Sequence, residues 1–198
     1  MIQSPPYRFS ETENNILSET TVGSAMGDTL RHYWVPAFLS EELPQPDSPP
    51  IRVKLLGDLL VAFRDSSGQV GLLDEFCPHR GASLYFGRNA EHGLQCVYHG
   101  WKFDVSGTCI ENPTCPDLVG NSDAAQRAYQ THEEGGLVWA YLGNDNHPPP
   151  LPDLGWRLAE NSSRYVSKRH QPCHWLQALE VDIDSTHVAY LHREELLA

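Results

Sequence analysis

The sequence predicts a mainly β fold with an α/β extension: a small antiparallel β domain followed by the opening of an α+β domain. Three observations predict it. Short apolar runs, "IRVKLLG", "LLVAF", "VGLLDE" and "GGLVWAYLG", alternate with Gly-rich turns, which is the pattern of an antiparallel sheet. Prolines at 148, 149, 150 and 152 then interrupt the chain; they cannot continue a strand ladder and mark a linker. Beyond it, "CHWLQALEVDIDSTHVAYLHREELLA" (173–198) is mostly helical in propensity.

Taken in order, residues 1–36 form an N-terminal helical segment. "MGDTLRHYWVPAFLS" (26–40) reads as a short helix with a stop at Pro36, and "LPQPDSPP" (43–50) as a stiff connector. The β domain covers 37–146. In it "LLVAF" and "VGLLDE" are joined by "RDSSGQ", a hairpin turn signal, and "LQCVYHGWKFD" (94–104) reads as one further strand. Residues 147–198 hold the linker, a candidate strand at "YVSKRHQP", and the helical tail. Some fifty residues cannot bury a core alone, so the rest of the second domain is expected beyond residue 198.

Composition limits the partners. The 26 acidic and 14 basic residues give a formal net charge of -12, which argues against nucleic acid or an anionic membrane. The longest nearly apolar run, "LLGDLLVAF" (55–63), is broken by Gly57 and Asp58 and is far shorter than the ~20 residues of a membrane span. The N-terminus has neither a basic nor an apolar region of a secretory signal. Five cysteines, an odd number, point to reduced thiols in the cytoplasm, used for ligation or packing.

"CPHRGASLYFGRNAEHGLQCVYHGW" (77–101) contains two mixed pairs, Cys77 with His79 and Cys96 with His99, each followed by a glycine, Gly81 or Gly100. Structural zinc sites also use Cys and His, but usually in C-x2–4-C and H-x3–5-H pairs. Two loops that each give one thiolate and one imidazole can enclose a [2Fe-2S] cluster, with both cysteines on one iron and both histidines on the other. Cys109, Cys115 and Cys173 lie outside both loops and read as free thiols packed as small hydrophobes.

A second constellation, Glu180, Asp184, His187 and His192, lies in "EVDIDSTHVAYLH". Two imidazoles and a carboxylate with open positions make the facial triad of non-haem Fe(II) oxygenases. Asp184 and His187 are three apart and share a helical face. His187 and His192 are five apart, about 140° of rotation on a regular helix. Either the helix breaks between them or His192 is not a ligand.

The segment C-x-H-x16-C-x2-H-G-W resembles the Rieske pattern, and Glu180-x3-Asp184-x2-His187-x4-His192 resembles the mononuclear-iron motif of Rieske non-haem iron oxygenases. With "MGDTLRHYWVPAFLSEELP", "DEFCPHRGASL" and "WLQALEVDIDSTHVAYLH", the whole chain is similar to the oxygenase (alpha) subunit of aromatic-ring hydroxylating oxygenases of the phthalate 4,5-dioxygenase type. The resemblance implies a Rieske [2Fe-2S] domain followed by a truncated α+β catalytic domain, with Cys77, His79, Cys96 and His99 on the cluster and His187 and His192 on mononuclear Fe(II). It makes Asp184 a bridge from an iron-ligand histidine to His99 of a neighbouring copy in a trimer or hexamer. The third iron ligand of the family is a carboxylate from further along, which neither Asp182 nor Glu194 matches. Glu180 stands where many relatives have Asn. The loops lack the extra cysteines of respiratory-chain Rieske proteins. The implied partners are an NADH-dependent flavin and iron–sulfur reductase, O2 and an aromatic acid. The alternative is a Rieske-type ferredoxin that only carries electrons, for which residues 173–193 would have no use.

Overall fold

The computed structural model describes residues 9–145, 147–160 and 163–196. The boundary expected at residue 146, the first eight residues of the expected helical segment and the final two of the tail lie outside them. Helices are α1 (Glu11–Ser18), α2 (Ala25–Arg31), α3 (Trp175–Ile183), α4 (Ser185–Leu191) and α5 (Arg193–Leu196). Strands are β1 (Trp34–Leu39), β2 (Ile51–Leu55), β3 (Asp58–Arg64), β4 (Val70–Asp74), β5 (Arg88–Ala90), β6 (Gly93–Gln95), β7 (Lys102–Phe103), β8 (Cys109–Glu111), β9 (Ala128–Glu134) and β10 (Leu137–Tyr141). They belong to two compact units, residues 20–168 and residues 1–19 with 169–198.

In the larger unit a six-stranded antiparallel sheet runs β1-β10-β9-β4-β3-β2, and a four-stranded one runs β5-β6-β7-β8. The apolar run in β3 has a simple cause. Successive strand residues face opposite sides: Leu60 and Ala62 enter one buried cluster, while Val61 and Phe63 enter a second. Leu72 and Leu73 of β4 divide in the same way. A strand buried on both faces has no polar side to show. The hairpin expected at "RDSSGQ" is present, with the Asp65 carboxylate accepting from Ser67 N at 2.9 Å and Gln69 N at 2.8 Å.

Three local expectations are corrected. The helix expected over 26–40 stops at Arg31, and Trp34–Leu39 pairs with β10 as β1. Pro36 is tolerated there because β1 is an edge strand whose register shifts between Pro36 and Phe38. "LQCVYHGWKFD" is not one strand: β6 ends at Gln95, a turn follows, and β7 returns antiparallel to β6. Gly100, at φ 77, lets the chain reverse. "YVSKRHQP" forms no strand; its Tyr165 is 90% exposed, so it offers a sheet little apolar surface to bury.

Arg31 anchors α2. Its guanidinium pairs with Asp58 at 2.8 Å and donates to the carbonyls of Thr20, Gly27 and Leu56 at 3.0, 3.2 and 3.2 Å. In the smaller unit, Ser10 and Glu13 form a capping box that starts α1, and Trp175 Nε1 donates to Ser18 O at 2.9 Å. Helices α3 and α4 bury no residue.

Candidate metal centre

Two turns of the same backbone design carry the first constellation. After β4, Cys77 N donates to Ala82 O at 2.9 Å and Gly81 N to Cys77 O at 2.8 Å. After β6, Cys96 N donates to Trp101 O at 2.8 Å and Gly100 N to Cys96 O at 3.0 Å. In each turn the cysteine comes first and a glycine of positive φ, 69 or 77, comes fifth. A side chain there would strain the left-handed backbone.

The turns bring like donors together. Cys77 and Cys96, each 3% exposed, lie in the same buried cluster. The His79 and His99 rings lie 4.5 Å apart between centroids. Burial pushes the Cys77 thiol up to about 11, while backbone N–H groups of His79 and Arg80 pull the other way. Burial, then the neighbouring His99 and Arg80, hold the His79 imidazole below its ordinary value, so it is neutral near pH 7, as a metal ligand must be. His79 Nδ1 is buried without a hydrogen-bond partner, a cost that a metal bond would remove.

This donor set fits a [2Fe-2S] group with two thiolates at one iron and two imidazoles at the other. Proton loss from the buried thiols would accompany loading. Sequence reasoning gave no role to the supports around the donors. Trp101 stacks on His79 with centroids 4.8 Å apart and planes at 4°. Its Nε1 donates to Thr114 Oγ1 at 2.9 Å, which donates to Asn112 Oδ1 at 3.0 Å. Tyr98 lies over His99 with centroids 3.9 Å apart. The Trp of "HGW" was the available signal, whereas nothing in "NPT" (112–114) announces that it holds an indole.

Of the other cysteines, Cys109 is buried as expected, Cys115 is partly exposed and Cys173 is exposed. Cys173 lies in irregular chain before α3 and is not packed as expected.

The second constellation lies at a helix break. Asp184 ends α3 and caps α4, its side chain accepting from Thr186 N at 2.8 Å. His192 caps the C-terminus of α4 with φ -105 and ψ 19. The His187 and His192 rings lie 5.7 Å apart between centroids. Asp184 Oδ2 is 3.8 Å from His187 Nδ1, a ring atom that is buried without a hydrogen bond. The two imidazoles fit the two-histidine part of a mononuclear iron site. Among the described residues no three His, Cys, Asp or Glu side chains gather to hold one ion. Glu180 is exposed on α3. No helix of the described residues is long and apolar enough to cross a membrane.

Residues 33–127 match the model of the Rieske [2Fe-2S] domain. The chain is 41% identical over 186 residues to the phthalate 4,5-dioxygenase oxygenase subunit of Pseudomonas putida, covering 93% of this chain and 42% of that one. It is 44% identical over 183 residues to the 3-chlorobenzoate-3,4-dioxygenase oxygenase subunit of Comamonas testosteroni, covering 91% and 42%. Dicamba monooxygenase bound to dicamba superposes with a TM-score of 0.69 at 32% identity, over 82% of this chain and 48% of that one; the same enzyme has been solved with non-haem iron. The chain thus spans less than half the length of these relatives. With a Rieske domain built around the twin turns and kinship to oxygenase subunits along most of its length, the chain belongs to the Rieske oxygenase family, among relatives of the phthalate dioxygenase type.

Proposed function

We propose that this chain is part of the oxygenase component of a multicomponent aromatic-ring hydroxylating system. It receives electrons at a Rieske cluster held by Cys77 and Cys96 on one iron and His79 and His99 on the other. The observation that carries the reading is that twin turns bring the two cysteines into one buried cluster and the two imidazoles to 4.5 Å between centroids. When bound, the cluster supplies one-electron transfer at a potential above that of all-cysteine clusters. The protein's own part is positional. Buried cysteines keep the sulfur side from water, Trp101 fixes the face of His79, and the partly exposed histidines form the edge nearest solvent.

His187 and His192 are proposed to hold Fe(II), which supplies O2 activation when bound. Asp184 would take the free N–H of His187 and, in a homotrimer or hexamer, that of His99 in a neighbouring copy. The 3.8 Å separation from His187 Nδ1 is one small side-chain rotation from a hydrogen bond. Phthalate and 3-chlorobenzoate, named in the relatives, point to a carboxylate-bearing aromatic substrate. An NADH-dependent flavin and iron–sulfur reductase would deliver the electrons, in the cytoplasm.

Anaerobic reconstitution tests the reading. The chain should become red-brown with two irons and two sulfides, and give the reduced EPR signal of mixed ligation. A colourless protein with stoichiometric zinc would refute it.

A further inference from the structure

The first turn is held by a side chain from much further along the chain. Gln126, 6% exposed, donates from Nε2 to Asp74 O at 2.7 Å and to Phe76 O at 2.8 Å. The Phe76 carbonyl shares one rigid peptide plane with the Cys77 N–H, and that N–H donates to Ala82 O at 2.9 Å. The plane from which the Cys77 side chain springs is therefore pinned on both sides. Gln126 is itself fixed, its N donating to Gly107 O at 2.8 Å and its Oε1 accepting from Arg127 N at 3.2 Å.

The second turn has no need of such a clamp. Gln95, just before Cys96, lies in β6 and is paired with Arg88 of β5 and Lys102 of β7. Cys77 is instead four residues past the last pair of β4 with β9, Leu73 with Ala128. There the Gln126 amide stands in for a missing strand neighbour.

We propose that Gln126 is a positioning residue for the cluster, orienting Cys77 through the Phe76–Cys77 peptide. This rests on the reading of Cys77 as a cluster ligand. The same peptide governs how the N–H groups of His79 and Arg80 face the Cys77 sulfur, and hydrogen bonds to sulfur are among the features that set the electronic state of such clusters. Without the amide, the partly buried Asp74 and Phe76 carbonyls each lose a donor, and the peptide between Phe76 and Cys77 is held from one side only.

The test compares the reconstituted full chain with Gln126→Leu, Gln126→Glu and Val53→Ala. Leu removes the donors, Glu replaces them by an oxygen, and Val53→Ala weakens the other buried cluster. The readouts are the rate of cluster loss to a chelator, followed by visible circular dichroism, and the EPR g-values after reduction. Both Gln126 variants should lose the cluster about tenfold faster, the range found for outer-sphere partners of metal sites, with shifted g-values. Val53→Ala should lower the unfolding midpoint and leave both readouts unchanged. Wild-type rates and g-values in the Gln126 variants would overturn the proposal, as would equal changes in Val53→Ala or failure of both Gln126 variants to fold. A wild-type chain that holds no cluster would instead remove Cys77 as a ligand and the proposal with it.

Discussion

Trp101→Phe separates the two contacts that Trp101 makes beside the metal centre. Phenylalanine keeps an aromatic face for His79 but loses the indole N–H that donates to Thr114 Oγ1 at 2.9 Å. Thr114 still donates to Asn112 Oδ1, so the loss is one neutral hydrogen bond, about 1 kcal/mol. Trp101 is 7% exposed within the cluster that includes Cys77, Cys96 and Phe103, and the smaller ring leaves unfilled volume worth about 1 kcal/mol more. The expected destabilisation is about 2 kcal/mol, a urea midpoint shift of roughly 1 M for an m-value near 2 kcal/mol/M. Thr114→Ala breaks that bond and its own bond to Asn112 and should cost about 2 kcal/mol. The double variant should fall short of the sum by about 1 kcal/mol, because both single changes break the same bond. Urea unfolding of the four proteins measures this, with the EPR signal confirming mixed ligation in each. Strict additivity would show that the bond contributes nothing to the support of His79.

His79→Cys should retain a cluster at a lower potential, since thiolate adds negative charge where neutral imidazole stood; an unchanged potential in protein-film voltammetry would place His79 off the cluster. Asp184→Asn in the assembled oxygenase should leave both metals in place and slow reoxidation of the reduced cluster about 10–100-fold in the presence of substrate and O2, and a wild-type single-turnover rate would remove Asp184 from the electron path. Arg31→Met leaves Asp58, whose side chain is 19% exposed, without its counter-ion and should cost about 3 kcal/mol in denaturant unfolding. Glu133 is held below the ordinary carboxylate value by its hydrogen bonds to Arg64, so it stabilises the fold above its unfolded pKa and loses that contribution as pH falls through the lowered one. Glu133→Gln should therefore cost less than about 1 kcal/mol at pH 7, with the difference from wild type shrinking once pH falls below about 4.3, the ordinary glutamate value, and vanishing only below the lowered one.

The candidate donors and their spacing were legible in the sequence because metal chemistry restricts residue choice severely. Two Cys–x–His-like pairs, each followed by glycine, leave few readings. Strand β3 was legible for a different reason, since burial on both faces forces an unbroken apolar run. Strand β9, "AYQTHEE", was not, because its exposed positions alternate without a strong apolar face, and pairing with β10 supplies what local pattern does not. Pro36 misled for a related reason. A proline marks a helix stop by local rules, but an edge strand accepts it, and edge status is a property of the sheet. Gln126 shows the same limit at the site: its hydrogen bonds reach residues 50 and 52 positions away, a separation that no local spacing encodes.

The placement of the donors follows from the core beneath them. Leu73, four residues before Cys77, and Leu94, two before Cys96, lie fully buried in one cluster with both cysteines, Trp101 and Phe103. The two turns therefore leave a common apolar floor, and their sulfur atoms meet where that floor ends. The histidines occupy different places within otherwise matching turns, third after β4 and fourth after β6. That offset gives the turns unequal shapes around similar backbones, while the partly exposed imidazoles meet beyond the buried thiols. A gradient results, from dry sulfur to solvent-facing imidazole, along the direction in which an electron would leave. Because the floor is shared, loosening Phe103 or Leu94 acts on both turns at once, whereas a change at Gln126 acts on the side of Cys77. Damage to one pair with the other intact is thus a property of the supports, and damage to both is a property of the core.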